Sequence, residues 1–173
     1  MVLLKGNIGS CKQIKLCDDV VSMGRDAACV IQLDDKMFVD SRDENIQYIK
    51  LSRVHFTVTR DKHGITLVDK TMNGTYVNKL LVGKGNKYRL NHTDAISVLY
   101  EDFNVFLYVD EKSMNLLYST QVCCKFLVGR EIGRGISGDV REGYAKGEDN
   151  SKVAMKFINK QKWPTKYSAP EDP

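Results

Sequence analysis

Proline is almost missing from the body of this 173-residue chain: all three, Pro164, Pro170 and Pro173, lie in its last ten positions. Nothing upstream of them carries the proline that breaks strands or kinks helices. The cysteines are few and badly placed for covalent or metal stapling. Cys11, Cys17, Cys29, Cys123 and Cys124 make an odd number with no CxxC spacing, which argues against a disulfide framework or a zinc site and for a reducing, intracellular setting. No apolar run approaches the length that spans a bilayer, and Met1-Val2-Leu3-Leu4 is followed at once by Lys5 and Gly6, too short for a signal-peptide core. Charge of one sign is also scarce. A net charge of +4, with lysines and arginines scattered among acids, gives no basic stripe and no case for direct nucleic-acid binding.

What is present is a hydrophobic fraction of 42% against 28% charged residues, ordinary for a globular protein. The length accommodates one sizeable domain, or one domain and a fragment. Through about residue 110 the chain reads as mainly β. Short runs rich in β-branched and aromatic residues recur: 30–33, 46–49, 56–59, 65–68, 95–98 and 105–109. Sustained helical periodicity is missing there, so a sandwich or barrel is expected rather than an α/β fold. Asp61-Lys62-His63-Gly64 reads as a hairpin turn, Asn73-Gly74 tolerates positive φ, and Asp34 to Asn45 reads as a long solvated loop. The pattern loosens from Asp110 to Gln121, the expected linker, although Met114, Leu116, Leu117 and Tyr118 could pack as a short helical turn. Strands are expected again at 125–128, 139–144 and 152–158, and the tail from Trp163 is expected to be poorly ordered.

Two constellations carry chemistry. The first is Gly24-Arg25, then Ser52-Arg53-Val54-His55, then Asn73-Gly74-Thr75-Tyr76-Val77-Asn78. A phosphothreonine bears close to two negative charges and three strong acceptor oxygens, so a selective site needs fixed cations and short-range donors. Arg25 offers a planar guanidinium able to make two parallel bonds to phosphate, and Arg53 adds a second cation. Ser52 offers a hydroxyl and a backbone N–H, and Asn73 an amide that can clamp a peptide backbone. Each residue taken singly has an ordinary structural reading; the combination is what points to a ligand. His55 reads as a brace for the Ser52 loop rather than a phosphate contact.

The order and spacing of these elements resemble the forkhead-associated (FHA) domain over roughly residues 1–112. That family is a β-sandwich that binds phosphothreonine peptides through its loops. The resemblance implies ligand contacts at Arg25, Ser52, Arg53 and Asn73, framework roles for Gly24, His55, Gly74 and Asn78, and a preference for phosphothreonine over phosphoserine.

The second constellation is Gly133-Arg134-Gly135-Ile136-Ser137-Gly138-Asp139-Val140, followed by Val153-Ala154-Met155-Lys156. A dinucleotide-binding turn would open a helix, yet Asp139 to Tyr144 has β character. A Walker A loop is excluded because no Gly-Lys-Ser/Thr follows. The spacing resembles the glycine-rich loop and β3 lysine of protein kinases. On that resemblance Gly133, Gly135, Gly138 and Val140 would cover ATP, and Lys156 would pair with its α- and β-phosphates. The chain ends at Pro173, before the αC glutamate, the catalytic loop or the metal-binding Asp-Phe-Gly could occur. No catalytic residue is assigned, and the segment is expected to be inactive alone. ATP and Mg belong to the intact parent kinase; no cofactor is expected of this chain.

Together the two motifs resemble the checkpoint kinase 2 family, a set of Ser/Thr kinases of the DNA-damage response. The organisation expected is an FHA domain at 1–112, a linker at 113–123 and the start of a kinase N-lobe at 124–173. The expected partners are phosphothreonine segments of an upstream adaptor or of a second copy, with nuclear location implied by the family alone. Two other readings stand beside it: an active kinase, true only of a parent protein, and a structural or dimerisation sandwich with no peptide binding. Thr120-Gln121, a lone Thr-Gln pair, reads as chance.

Overall fold

A computed structural model describes residues 2–6, 13–35, 48–146 and 151–158. The strands are β1 (Val2–Gly6), β2 (Gln13–Leu16), β3 (Val20–Gly24), β4 (Ile31–Gln32), β5 (Phe56–Asp61), β6 (Gly64–Asp69), β7 (Thr75–Val77), β8 (Leu80–Leu81), β9 (Lys87–Arg89), β10 (Ala95–Val98) and β11 (Asn104–Asp110). They form two sheets, ordered β2-β1-β11-β10-β7-β8 and β4-β3-β5-β6-β9. The fold is thus the mainly β sandwich expected from the pattern. Period-two alternation decides which side chains go inside: β6 buries Ile65, Leu67 and Asp69 and half-exposes the residues between. Met23, Phe56, Leu67, Val77, Ile96, Val98 and Phe106 fill the space between the sheets, with Phe56 and Phe106 meeting edge to face at 6.3 Å.

The turns explain how loops reach the functional edge. Asp61 Oδ1 accepts from the N–H groups of His63 (2.7 Å) and Gly64 (3.0 Å), and Gly64 takes φ +131°, closing the expected β5–β6 hairpin. Two expected strands are reduced. The run 30–33 is a strand only at β4, because Leu33 turns inward to full burial while its N–H bonds Gly24 O. Of the strand expected at 46–49, residues 46 and 47 lie outside the described residues, and Tyr48–Lys50 is a single 3-10 turn. Leu51 N–H closes onto Tyr48 O there, and Leu51 drops into the core. Most of the 34–45 loop, Cys11, part of the 145–151 loop and the tail from Trp163 lie outside the described residues.

The expected linker is two short helices, α1 (Glu111–Leu117) and α2 (Thr120–Lys125). Asp110 ends β11 and caps α1, accepting from Lys112 N (3.2 Å), Ser113 N (3.3 Å) and Ser113 Oγ (2.6 Å). The chain then enters an antiparallel three-stranded sheet, β12 (Phe126–Gly135), β13 (Gly138–Ala145) and β14 (Lys152–Ile158), in that order. This sheet has no separate core. Ala95, Leu107 and Val109 on the outer side of the sandwich, Met114 and Cys123 on the two helices, and Leu127, Val128 and Tyr144 on the sheet bury one another in a second cluster. Gly129 makes the close approach workable: a Cβ there would lie 3.2 Å from Leu107 Cδ2 and 3.1 Å from Glu142 Cβ. Behind it, buried Glu142 gathers Tyr144 Oη (2.8 Å), Lys152 Nζ (3.0 Å) and Arg130 Nε (3.3 Å), and these hydrogen bonds and charges hold its carboxyl below the usual range against the opposing effect of burial.

Candidate functional site

The first constellation converges at one end of the sandwich through backbone bonds between loops far apart in sequence. Arg25 N–H bonds Ser52 O (3.1 Å), Asp26 N–H bonds Arg53 O (3.1 Å), and His55 N–H bonds Met23 O (2.8 Å). Cys29 Sγ donates to the same Arg53 carbonyl at 3.2 Å. Burial raises the thiol's pKa, keeping it protonated as that donor requires. Gly24 is required by this stitching, since a Cβ there would sit 2.0 Å from Arg53 O and 2.9 Å from His55 N. The Arg25 and Arg53 side chains are exposed, and among the described residues neither is paired with a carboxylate. Two exposed guanidinium groups thus stand on adjacent loops whose backbones are locked.

His55 is fully buried. Ser52 N–H donates to its Nδ1 at 3.3 Å, so Nε2 carries the proton and donates to Gly74 O at 2.9 Å. One imidazole thereby joins the Ser52 loop to the Asn73-Gly74 turn. Burial holds its pKa below the ordinary histidine value, partly offset by the bond to Gly74 and the charge of Asp69. Gly74 takes φ +91°, and a Cβ there would meet the Tyr76 ring at 2.7 Å. Its carbonyl also receives Leu99 N–H (2.9 Å).

Asn73 is exposed, with Nδ2 on Lys50 O at 2.5 Å, which orients the amide over the Ser52 loop. Asn78, in the left-handed region at φ 51°, does different work. Its Nδ2 donates to Asp94 Oδ1 (2.7 Å) and its Oδ1 accepts from Ala95 N (3.0 Å), tying the β7–β8 turn to the loop before β10.

Two residues of the site went unnoticed in the sequence. Thr71 is buried, and its hydroxyl lies 2.6 Å from Ser52 Oγ while accepting Asn73 N–H at 3.0 Å. Asp69 is fully buried, and its Oδ1 accepts Thr71 N–H and Thr75 Oγ1–H, each at 2.9 Å. The signal available was the Asp-x-Thr run just ahead of Asn73-Gly74: an aspartate able to bond the backbone two residues on. Beside them a cavity of about 380 Å³ opens between Met72, Asn73, Tyr76, Leu81 and Lys84.

The second constellation also assembles. Gly133 pairs with Val140 and Val140 with Lys156, so the three stand in one row across β12, β13 and β14. The hairpin closes through Gly135 opposite Gly138. Gly138, at φ +154°, admits no side chain, since a Cβ would strike Phe157 O at 1.9 Å. At Gly133 and Gly135 the nearest atoms to such a Cβ are 4.0 and 3.7 Å away, leaving the backbone open to a ligand. Ile136 projects fully into solvent at the tip, and a shallow hollow of about 410 Å³ lies beneath it. Lys156 is exposed and pairs with no carboxylate among the described residues. No cluster of His, Cys, Asp or Glu able to hold a metal occurs among those residues, and no helix among them is long and apolar enough to cross a membrane.

Loops at one end of the sandwich thus gather arginine, serine and asparagine around a buried histidine. Residues 21–98 match the model of the FHA domain, and this part of the chain is an FHA domain. The comparisons are consistent with a Chk2-like FHA domain followed by the start of a kinase. It is 32% identical over 117 residues to the serine/threonine-protein kinase chk-2 of Caenorhabditis elegans, covering 66% of this chain and 24% of that protein. It is 27% identical over 116 residues to the ovarian-specific serine/threonine-protein kinase Lok of Drosophila melanogaster, covering 64% of this chain and 24% of that protein. The chain therefore spans about a quarter of the length of these curated relatives. Among solved structures, that of Rad53 1-466 in complex with AMP-PNP has the same fold over 94% of this chain and 44% of its own length, at 20% identity and a TM-score of 0.51.

Proposed function

We propose that the loop edge around Arg25, Ser52, Arg53 and Asn73 binds a phosphothreonine segment of another protein, and that this docking serves a checkpoint-type Ser/Thr kinase of which the chain is a part. The observation that carries the reading is the pair of exposed guanidinium groups, unpaired with carboxylates among the described residues, held on loops stitched backbone to backbone with Ser52 and Asn73 beside them. Locked loops reduce the entropy lost when a dianion is gripped. The partner is an upstream adaptor or a second copy of the protein. Docking then raises the local concentration of neighbouring kinase segments, which favours their mutual phosphorylation. The site works inside the cell, and a nuclear setting follows from the resemblance to DNA-damage kinases.

The row Gly133, Val140 and Lys156, with Gly135 and Gly138 at the hairpin tip, belongs to the ATP site of the parent kinase. Bound there, ATP with Mg would supply the phosphoryl group. Glycine N–H groups would approach its phosphates, Val140 would cover the base and Lys156 would neutralise charge.

Titration of the chain with matched Thr, phosphoserine and phosphothreonine peptides tests the docking reading, using sequences chosen from an oriented phosphothreonine library. Phosphothreonine is expected to bind at least about tenfold tighter than either control, and Arg25→Ala to remove most of that affinity. Equal binding of all three peptides, or an Arg25→Ala variant that binds like the parent chain, leaves only the structural sandwich.

A further inference from the structure

The hydroxyl of Thr71 touches two of the four expected contacts at once. Its oxygen accepts the backbone N–H of Asn73 at 3.0 Å and lies 2.6 Å from Ser52 Oγ. The residue is only 2% exposed, so its single proton cannot go to solvent. Asn73 N–H is a donor and cannot take that proton, which leaves Ser52 Oγ as the acceptor in reach among the described residues. The alternative, with Ser52 donating inward, would bury the Thr71 proton unpaired, the costly arrangement for a hydroxyl. The backbone of Thr71 is itself fixed, because its N–H is held by the buried carboxylate of Asp69, which Thr75 also binds.

We infer that Thr71 is a positioning residue that sets the direction of the Ser52 proton. It donates to Ser52 Oγ and so turns the Ser52 O–H outward, toward the place where the reading above puts the phosphate. A phosphate dianion only accepts hydrogen bonds. A serine hydroxyl committed inward would meet it lone pair to lone pair and would have to reverse first. Thr71 removes that reversal and, through Asn73 N–H, registers the second contact with the same atom. The chain Asp69–Thr71–Ser52 therefore presents a donor to the anion before it arrives, which is electrostatic preorganisation applied to binding. This inference rests on the phosphothreonine reading of the site.

The test is a double-mutant cycle on the whole chain, measured by calorimetric titration with the tightest phosphothreonine peptide from the library. Thr71→Val keeps the shape and removes the hydroxyl, and should weaken binding about tenfold. Thr71→Ser keeps the hydroxyl and should bind within about twofold of the parent chain. In a Ser52→Ala background, Thr71→Val should cost no more than about threefold, because only the Asn73 bond is left to lose. Amide spectra of each variant check that the sandwich is folded, and Thr71→Ser controls for lost packing. Thr71→Val binding like the parent, the same loss with and without Ser52, or a Thr71→Ser loss as large as that of valine would each overturn the inference while leaving the site in place. A parent chain that binds no phosphothreonine peptide removes the site reading itself, and the inference with it.

Discussion

At the scale of single residues, the site depends on a histidine that must stay neutral. His55 Nδ1 accepts from Ser52 N–H, so protonation of that nitrogen breaks the bond that seats the serine. His92, on the turn before β10, is in the same position: its Nδ1 accepts from Asp110 N–H at 3.2 Å, and burial lowers its pKa too. Both folded-state values lie below those of the unfolded chain. The stability they contribute is therefore fully present above about pH 6.5 and is lost as pH falls toward their folded-state values. Asp110 and Glu142, whose hydrogen bonds and charges outweigh burial to lower theirs, lose their contribution only at more acid pH. Urea unfolding should show a lower midpoint at pH 5.5 than at 7.5, above the range where carboxylates titrate. An unchanged or higher midpoint at pH 5.5 would contradict the neutral-histidine account.

At the scale of elements, the two short helices decide how the kinase-like sheet is held. Met114 is fully buried between the sandwich and β12, and its sulfur receives Val128 N–H at 3.4 Å. Thr120–Lys125 is too short to persist alone, so α2 owes its existence to Cys123 packing in the shared cluster. Met114→Ala should cost the chain about 2–5 kcal/mol. Amide exchange should rise across 126–145 while β5 and β6 keep their protection; equal loosening of both regions would mean that the helices are not the joint. Much of this layer was legible in advance. Short β-branched and aromatic runs gave β5, β6, β10 and β11, and the Asp61–Gly64 turn declared itself by residue type. Ser52, Asn73 and the arginines could be found by spacing. A short helical turn at Met114, Leu116, Leu117 and Tyr118 was legible as an option, but the joint it forms was not, because these residues show no clean face: Leu116 is 88% exposed while Met114 is fully buried. Tertiary burial of one methionine and one cysteine decided the matter. Thr71 and Asp69 were missed for a similar reason, since their roles arise from contacts with Ser52 and Thr75 that only folding brings about.

At the scale of the whole molecule, the two proposed phosphate-handling edges differ in how they are enclosed. The row through Gly133, Val140 and Lys156 runs across the three-stranded sheet, and no second lobe faces it among the described residues. Incubation with labelled ATP, Mg and a basic protein substrate should yield no phosphate transfer above a Lys156→Met control. Measurable transfer would mean that a catalytic group has been overlooked.

The Gly129 crossing carries a consequence of another kind. Because β12 passes against Leu107 with no side chain between them, the sandwich and the base of the glycine-rich hairpin share one buried cluster at the crossing. On the docking reading proposed above, a partner gripped at the loop edge would then bias the heading of the hairpin as well as its whereabouts. Two such chains bound to one scaffold would face each other along bearings set by where the scaffold holds its two phosphates.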